Sequence, residues 1–203
     1  MKSILVGDKI KIAPLTLEDA AEMRGWGMHK NPLLFDYNFP YENDYEIKKW
    51  FRWKTFSIRN KYYSIKDKNG KLIGYMGTKN KNFLSKSSFL GIVFDPDLVN
   101  MGYGTQTLKL FLPYYFKELN MKTLYLEVSE FNERALKLYK NIGFVKDGYY
   151  LDLFSIQDLD LTTEEFKRYQ TSFVFKDEKI YNYIYKMKLT KKRFFKVLGK
   201  DEG

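Results

Sequence analysis

The stretch from residue 89 to residue 105 limits what this chain can become more than any other. It begins with an apolar run of strand length, Phe89-Leu90-Gly91-Ile92-Val93-Phe94. A turn follows, Asp95-Pro96-Asp97-Leu98-Val99-Asn100-Met101-Gly102-Tyr103-Gly104-Thr105, and beyond it Leu108, Leu112, Tyr115 and Leu119 recur at helical spacing. A strand, a glycine-bearing turn and a helix start together make a place for phosphate. The glycines let a ligand approach the backbone, and the first helical N–H groups point outward at an anion. Gly-x-Gly is also a common packing device, and by itself it does not separate the two uses.

A second segment follows about thirty residues later. Leu124-Tyr125-Leu126-Glu127-Val128 reads as a strand, and residues 132 to 143 read as a helix opened by Asn132 and closed by Gly143. Ala135, Leu138, Tyr139 and Ile142 fall on one face of that helix, with Glu133 and Lys137 as an outer i,i+4 pair. Together the words Gly102-Tyr103-Gly104-Thr105 and Asn132-x-x-Ala135-x-x-x-Tyr139, followed by Gly143-Phe144, resemble the GNAT family of acetyl-CoA-dependent N-acetyltransferases. The likeness covers about residues 9 to 150. Its nearest flavour is the ribosomal-protein branch, which acetylates protein N-termini and related amines.

The resemblance implies an α/β (α+β) GNAT fold: a central mixed, mostly antiparallel twisted sheet of about seven strands, with helices on both faces. The pattern along the chain agrees. Residues 9 to 15 alternate as a strand, and Thr16 can cap a helix from 17 to about 28. A second helix is expected from about 45 to 60. Strands over 62–66 and 71–78 form a hairpin around Asn69-Gly70, and another strand spans 87–94. Pro113 interrupts the helix after the glycine turn, where it should kink it or end it near Leu112. The whole chain, 1–203, reads as one domain, with an insertion at about 151–179 that carries a short helical pattern near 163–169. A last strand spans 179–189, and a basic tail at about 190–203 contains Lys191-Lys192-Arg193-Phe194-Phe195-Lys196. Such a tail is usually a solvated end; an anion-binding helix is the alternative.

Composition narrows the chemistry. The chain has no cysteine and one histidine, His29, so a thiol nucleophile and a cysteine or histidine metal site are excluded. It has no apolar run long enough to span a membrane and no signal-peptide order at its start, so a cytoplasmic protein is expected. The net charge of +10 could serve nucleic acid, yet the excess is mostly lysine, and arginine is the better base and phosphate reader. Lysine bias and attraction of coenzyme A, itself an anion, account for the charge equally well. Nucleic acid is not expected as the partner.

For acetyl transfer, the resemblance implies the following roles. Asn100, Met101, Gly102, Tyr103, Gly104 and Thr105 wrap the cofactor's pyrophosphate, and Ile92, Val93 and Phe94 pair their backbone with its pantetheine arm. A backbone N–H of Phe94 or Val93 faces the thioester oxygen. Asn132 caps its helix and touches the cofactor, Tyr139 is the general acid for the departing thiolate, and Glu127, twelve residues before it, is the general base. A water chain is the rival base. Val99 stands where the family usually has Arg or Gln, and Gln106 where it often has Glu, so cofactor binding should be weaker; Lys109 could restore some charge. The aromatic loop over residues 35–41, with Trp26, Asp36 and Tyr37, is expected to shape the acceptor pocket, where rings and carboxylates suit a cationic amine. The acceptor could be a protein N-terminus or an amine-bearing small molecule such as a polyamine or amino sugar, and the protein a monomer or homodimer. The competing reading is a non-catalytic acyl-CoA-binding or RNA-binding module on the same fold.

Overall fold

The computed structural model describes residues 5 to 201. Nine strands form one sheet: β1 (Leu5–Val6), β2 (Ile10–Pro14), β3 (Lys61–Asp67), β4 (Leu72–Asn82), β5 (Ser87–Phe94), β6 (Thr123–Ser129), β7 (Val145–Leu153), β8 (Phe173–Lys176) and β9 (Lys179–Thr190). The spatial order is β1-β2-β3-β4-β5-β6-β9-β7, with β8 also on β9. Every pairing is antiparallel except β5 with β6. The expected mixed sheet is present, enlarged by the two-residue β1 and by β8.

Helices cover both faces. On one side lie α1 (Leu17–Glu22) and α2 (Asp44–Thr55), which bury Ala20, Ile47 and Trp50 with Leu15, Tyr62 and Leu72. On the other, α3 (Tyr103–Pro113), α4 (Glu133–Ile142) and α5 (Lys191–Asp201) pack against Leu90, Leu124, Leu126 and Val128. A third cluster joins Leu33, Phe131, Phe154, Leu161, Phe166, Phe173 and Ile180. None of the helices among the described residues is long and apolar enough to cross a membrane.

Several local expectations need correction. Helix α1 ends at Glu22 and tightens into a 3₁₀ turn at Met23–Gly25, short of residue 28, and α2 ends at Thr55, short of residue 60. The β3–β4 connection is wider than a two-residue turn, because the Asp67 carboxylate accepts from the N–H groups of Asn69 and Lys71, each at 2.9 Å. At Pro113 the α-helical part of α3 ends, close to the expected Leu112, and the chain continues in a π-helical turn at Tyr114–Glu118, closed by the Leu119 N–H on the Tyr114 carbonyl at 3.0 Å. The helical pattern near 163–169 resolves to a 3₁₀ stretch, Lys167–Ser172. The basic tail is α5, whose buried Phe194 packs on Phe116 with ring centroids 5.2 Å apart. Burying one such ring contributes about 1.5–3 kcal/mol, so this segment is part of the core and not a solvated end. Glu133 pairs with Arg168 at 4.0 Å instead of with Lys137.

Candidate active site

The parallel strands β5 and β6 meet for only three residues. Ser87, Ser88 and Phe89 pair with Thr123, Leu124 and Tyr125, and beyond them the strands splay. Two clasps close the base of the fork. On the α3 face, the Tyr115 hydroxyl bonds the Ser88 hydroxyl and donates to the Thr123 carbonyl, both at 2.8 Å. On the opposite face, Phe89 stacks on Tyr125 at 5.4 Å. Past these clasps a cleft of about 460 Å³ opens at the carboxyl ends of the two strands. Ligands of open sheets bind in such crevices.

Each arm of the fork carries backbone groups into the cleft. The Asp95 N–H donates to the Ile73 carbonyl of β4 at 3.0 Å. Successive N–H groups alternate sides along a strand, so those of Val93 and Gly91 also face β4, while those of Ile92 and Phe94 face the gap. The two candidates for meeting a thioester oxygen are thereby separated in favour of Phe94. All three residues, Ile92, Val93 and Phe94, line the cleft.

At the mouth of β5 the chain enters α3 through two left-handed residues, Asn100 at φ 68° and Gly102 at φ 79°. The first α3 amide with an acceptor is that of Gln106, on the Gly102 carbonyl at 3.2 Å. The N–H groups of Tyr103, Gly104 and Thr105 have none among the described residues, so an anion can take all three. Gly104 is small for a packing reason: a Cβ there would lie 2.9 Å from Leu138 Cδ2 on α4. Asn100, Gly102, Tyr103, Gly104 and Thr105 line the cleft; Met101 does not, and its side chain is exposed. The positive charge comes from Arg134 and Lys137 on α4, whereas Lys109 faces solvent away from the cleft. Unpartnered amides, a side-chain-free approach and two cations together fit a diphosphate.

The second arm brings the reacting groups. Asn132 caps α4 by accepting from the Ala135 N–H at 3.1 Å, and it also lines the cleft. Tyr139, in the second turn of α4, is buried edge-on to Phe144 at 5.7 Å yet reaches the cleft. Its hydroxyl has no hydrogen-bond partner among the described residues. Burial pushes its pKa well above the ordinary phenol range, and the nearby phenol of Tyr37 adds to the shift. The group is therefore held protonated. Glu127 lines the cleft from β6, opposite Lys186 in register, with an exposed side chain. Its charge, second to burial, raises the pKa of Tyr150 on β7.

The aromatic loop divides. Tyr37 enters the cleft, together with His29, whose ring meets it edge-on at 6.5 Å. The loop is pinned by the His29 N–H on Asn38 Oδ1 at 2.7 Å and by Leu33, buried in the third cluster beside Phe131 and Phe154. The segment between β7 and β8 thus backs the loop that reaches the site. Burial and Arg134 lower the His29 pKa, so the ring is neutral. Trp26 and Asp36 do not line the cleft. Trp26 stacks on Tyr75 at 6.2 Å in the α1–α2 core, and Asp36 faces solvent. His29, Lys79 and Arg134 are cleft residues that motif spacing does not mark, since each arrives from a different element.

Comparison with known proteins agrees with this geometry. The acetyltransferase (GNAT) domain family matches residues 9–145. Spermidine N(1)-acetyltransferase of Vibrio cholerae is 25% identical over 128 residues, covering 63% of this chain and 74% of the relative. The Escherichia coli K12 spermidine N(1)-acetyltransferase is 24% identical over 147 residues, 72% of this chain and 78% of that protein. The fold matches the crystal structure of the Vibrio cholerae spermidine N-acetyltransferase in complex with CoA and spermine, with a TM-score of 0.71 and 19% identity, over 93% of this chain and 99% of that one. These relatives are polyamine enzymes, not members of the N-terminal branch suggested by the motifs. The chain belongs to the GNAT family and is an acetyl-CoA-dependent N-acetyltransferase.

Proposed function

We propose that this enzyme acetylates the primary amine of a small molecule by direct attack in a ternary complex, with Glu127 as base and Tyr139 as acid. The observation that carries the reading is convergence: β6 and α4 bring a carboxylate and a protonated phenol to one cleft, whose other arm offers the Phe94 amide. Acetyl-CoA supplies the acyl group as a thioester. The unpartnered amides of Tyr103, Gly104 and Thr105 hold its diphosphate, with Arg134 and Lys137 adding charge and Asn132 a free side-chain N–H.

Glu127 takes the proton that the attacking amine must lose, and the Phe94 N–H donates to the oxygen where charge develops. Tyr139 gives its proton to the leaving sulfur. A phenol of raised pKa remains a competent donor here, because the burial that raises it also raises the pKa of a thiol held in the same place. The neutral His29 and Tyr37 close the site from the loop side and limit water.

A small amine is favoured over a protein N-terminus because the relatives named above act on spermidine, and because the loop over the site is pinned at both Asn38 and Leu33. Thiol release from acetyl-CoA, screened against polyamines, amino acids, amino sugars and peptide N-termini, tests the reading. Saturable turnover of a small primary amine is expected. Turnover of peptide N-termini alone would overturn it, as would calorimetry that detects no CoA binding to the folded protein.

A further inference from the structure

The face of the sheet opposite α3 holds an unusual floor. Gly77 on β4 and Gly91 on β5 are directly paired, which strips side chains from that row. The space over Gly77 is taken by the Tyr62 ring: a Cβ there would lie 2.4 Å from its Cε1. Over Gly91 arches Lys79, with Cε and Nζ each 3.6 Å from where a Cβ would sit. Gly91 and Lys79 both line the cleft. Against the same Tyr62 ring lies a second ammonium, that of Lys54 from α2, 5.5 Å from the ring centroid and also 5.6 Å from the Trp50 ring and 4.5 Å from the Trp53 ring.

Two half-buried ammonium groups thus lie by this row, Lys79 in the lining of the cleft and Lys54 against the neighbouring Tyr62 ring. Neither is in an ion pair among the described residues. Desolvation first and the charge of Lys79 second lower the Lys54 pKa to about 8. Placing like charges together in a partly dry site is unfavourable unless something negative joins them. The cleft itself does not supply it. Its one lining carboxylate is Glu127, already committed to the amine, and its remaining charged residues are Arg134 and Lys137.

We propose that the acceptor bears an anionic group, a carboxylate or a phosphate, apart from its primary amine, and that Lys79 and Lys54 hold that group above Gly91, beside the Tyr62 ring. This rests on the acetyl-transfer function proposed above and narrows its acceptor class. A polycation would meet two ammonium groups where it needs carboxylates. Gly91, which carries no side chain, leaves room in the cleft beside the Lys79 stem, while the Tyr62 ring fills the space over Gly77.

Two measurements test this. In the first, thiol release is compared for 4-aminobutyrate, O-phosphoethanolamine, the neutral 4-aminobutanamide, and spermidine. A charge-assisted contact predicts kcat/KM about 10-fold or more higher for an acidic acceptor than for the amide. Lys79→Met should collapse that ratio toward one, chiefly through KM, and Lys79→Arg should restore it. The carboxylate and phosphate arms distinguish the two sources of the anion. Equal kcat/KM for 4-aminobutyrate and its amide, or spermidine as the best acceptor, overturns the proposal while leaving acetyl transfer intact. In the second, inorganic phosphate is titrated into CoA-saturated protein, so that the α3 amides are already filled, and Trp50 and Trp53 fluorescence is followed. A saturable change that is lost in Lys54→Met and Lys79→Met supports the anion site even if none of the four acceptors turns over. No saturable change in the wild type refutes it.

Discussion

The two ends of the cleft are built from different material. At the α3 end the work falls to backbone: unpartnered amides at Tyr103, Gly104 and Thr105, a left-handed Gly102, and a Gly104 that must lack a side chain to sit against Leu138. The amides do most of the work there, with Arg134 and Lys137 adding charge, so Val99 and Gln106 can depart from the family's usual residues without removing the cradle. At the other end, His29 and Tyr37 from the loop, Lys79 from β4 and Glu127 from β6 line the cleft with side chains from separate stretches. On the proposed function, backbone would grip the shared cofactor and side chains would meet the acceptor.

The contrast is sharpest at Tyr139, which faces both ends. Tyr139→Phe keeps the ring against Phe144 and removes only the proton donor, so turnover should fall by about 10²–10⁴-fold. CoA affinity by calorimetry should stay within about twofold, because the hydroxyl makes no hydrogen bond among the described residues. Unchanged turnover would remove Tyr139 from the mechanism. Glu127→Gln is expected to cost on the order of 10²-fold near neutral pH. That loss should shrink as the pH rises, because an amine that is already deprotonated in solution no longer needs the base. A deficit that stays constant from pH 7 to 10 would favour a water chain. Turning to the backbone end, Gly102→Val forces a β-branched residue into φ 79°. The left-handed conformation costs about 1–2 kcal/mol per L-residue, enough to weaken acetyl-CoA binding by about 10-fold, with little change in turnover at saturation. An equal loss from Asn100→Ala would mean that side chains, not the amides, grip the diphosphate.

The same division explains what could be read from sequence. The α3 cradle and the spacing from Asn132 to Tyr139 are local: a glycine turn after a strand and a capped helix with a tyrosine two turns in look alike in sequence and in space. The fork between β5 and β6 is legible only as a consequence of the family fold, since nothing in either strand says that pairing stops at Phe89. Lys79 comes beside the Tyr62 ring through the register of β3 on β4, and Lys54 reaches the same ring from α2, so no periodicity predicts their approach. In the aromatic loop, sequence cannot tell which side chain turns inward: of the three expected residues Tyr37 lines the pocket, with His29 beside it, and Trp26 and Asp36 do not. At the C-terminus the lysines suggested a solvated tail, although Phe194 and Phe195 within the basic run were the available sign of a helix with one buried face.

The smallest expected effect separates function from fold at Lys54. Its folded-state pKa of about 8 lies below the ordinary lysine value of 10.5. Below pH 8 both the folded and unfolded chains are protonated there, and the folded chain bears the full cost of a desolvated ammonium beside Lys79. Between about 8 and 10.5 the unfolded chain holds a proton that the folded chain has released, so this group makes stability rise with pH. Lys54→Met removes the charge and keeps a flexible apolar stem among Trp50, Trp53 and Tyr62. The stability of the variant relative to wild type, from urea unfolding, should therefore improve as the pH is lowered from 10 to 7. A difference that is flat, or that moves the other way, would mean that Lys54 is solvated and no strain is held at the acceptor end. An improvement in stability accompanied by loss of the preference for acidic acceptors would instead identify a residue retained against the interest of the fold, as a side-chain-built end requires and a backbone-built one does not.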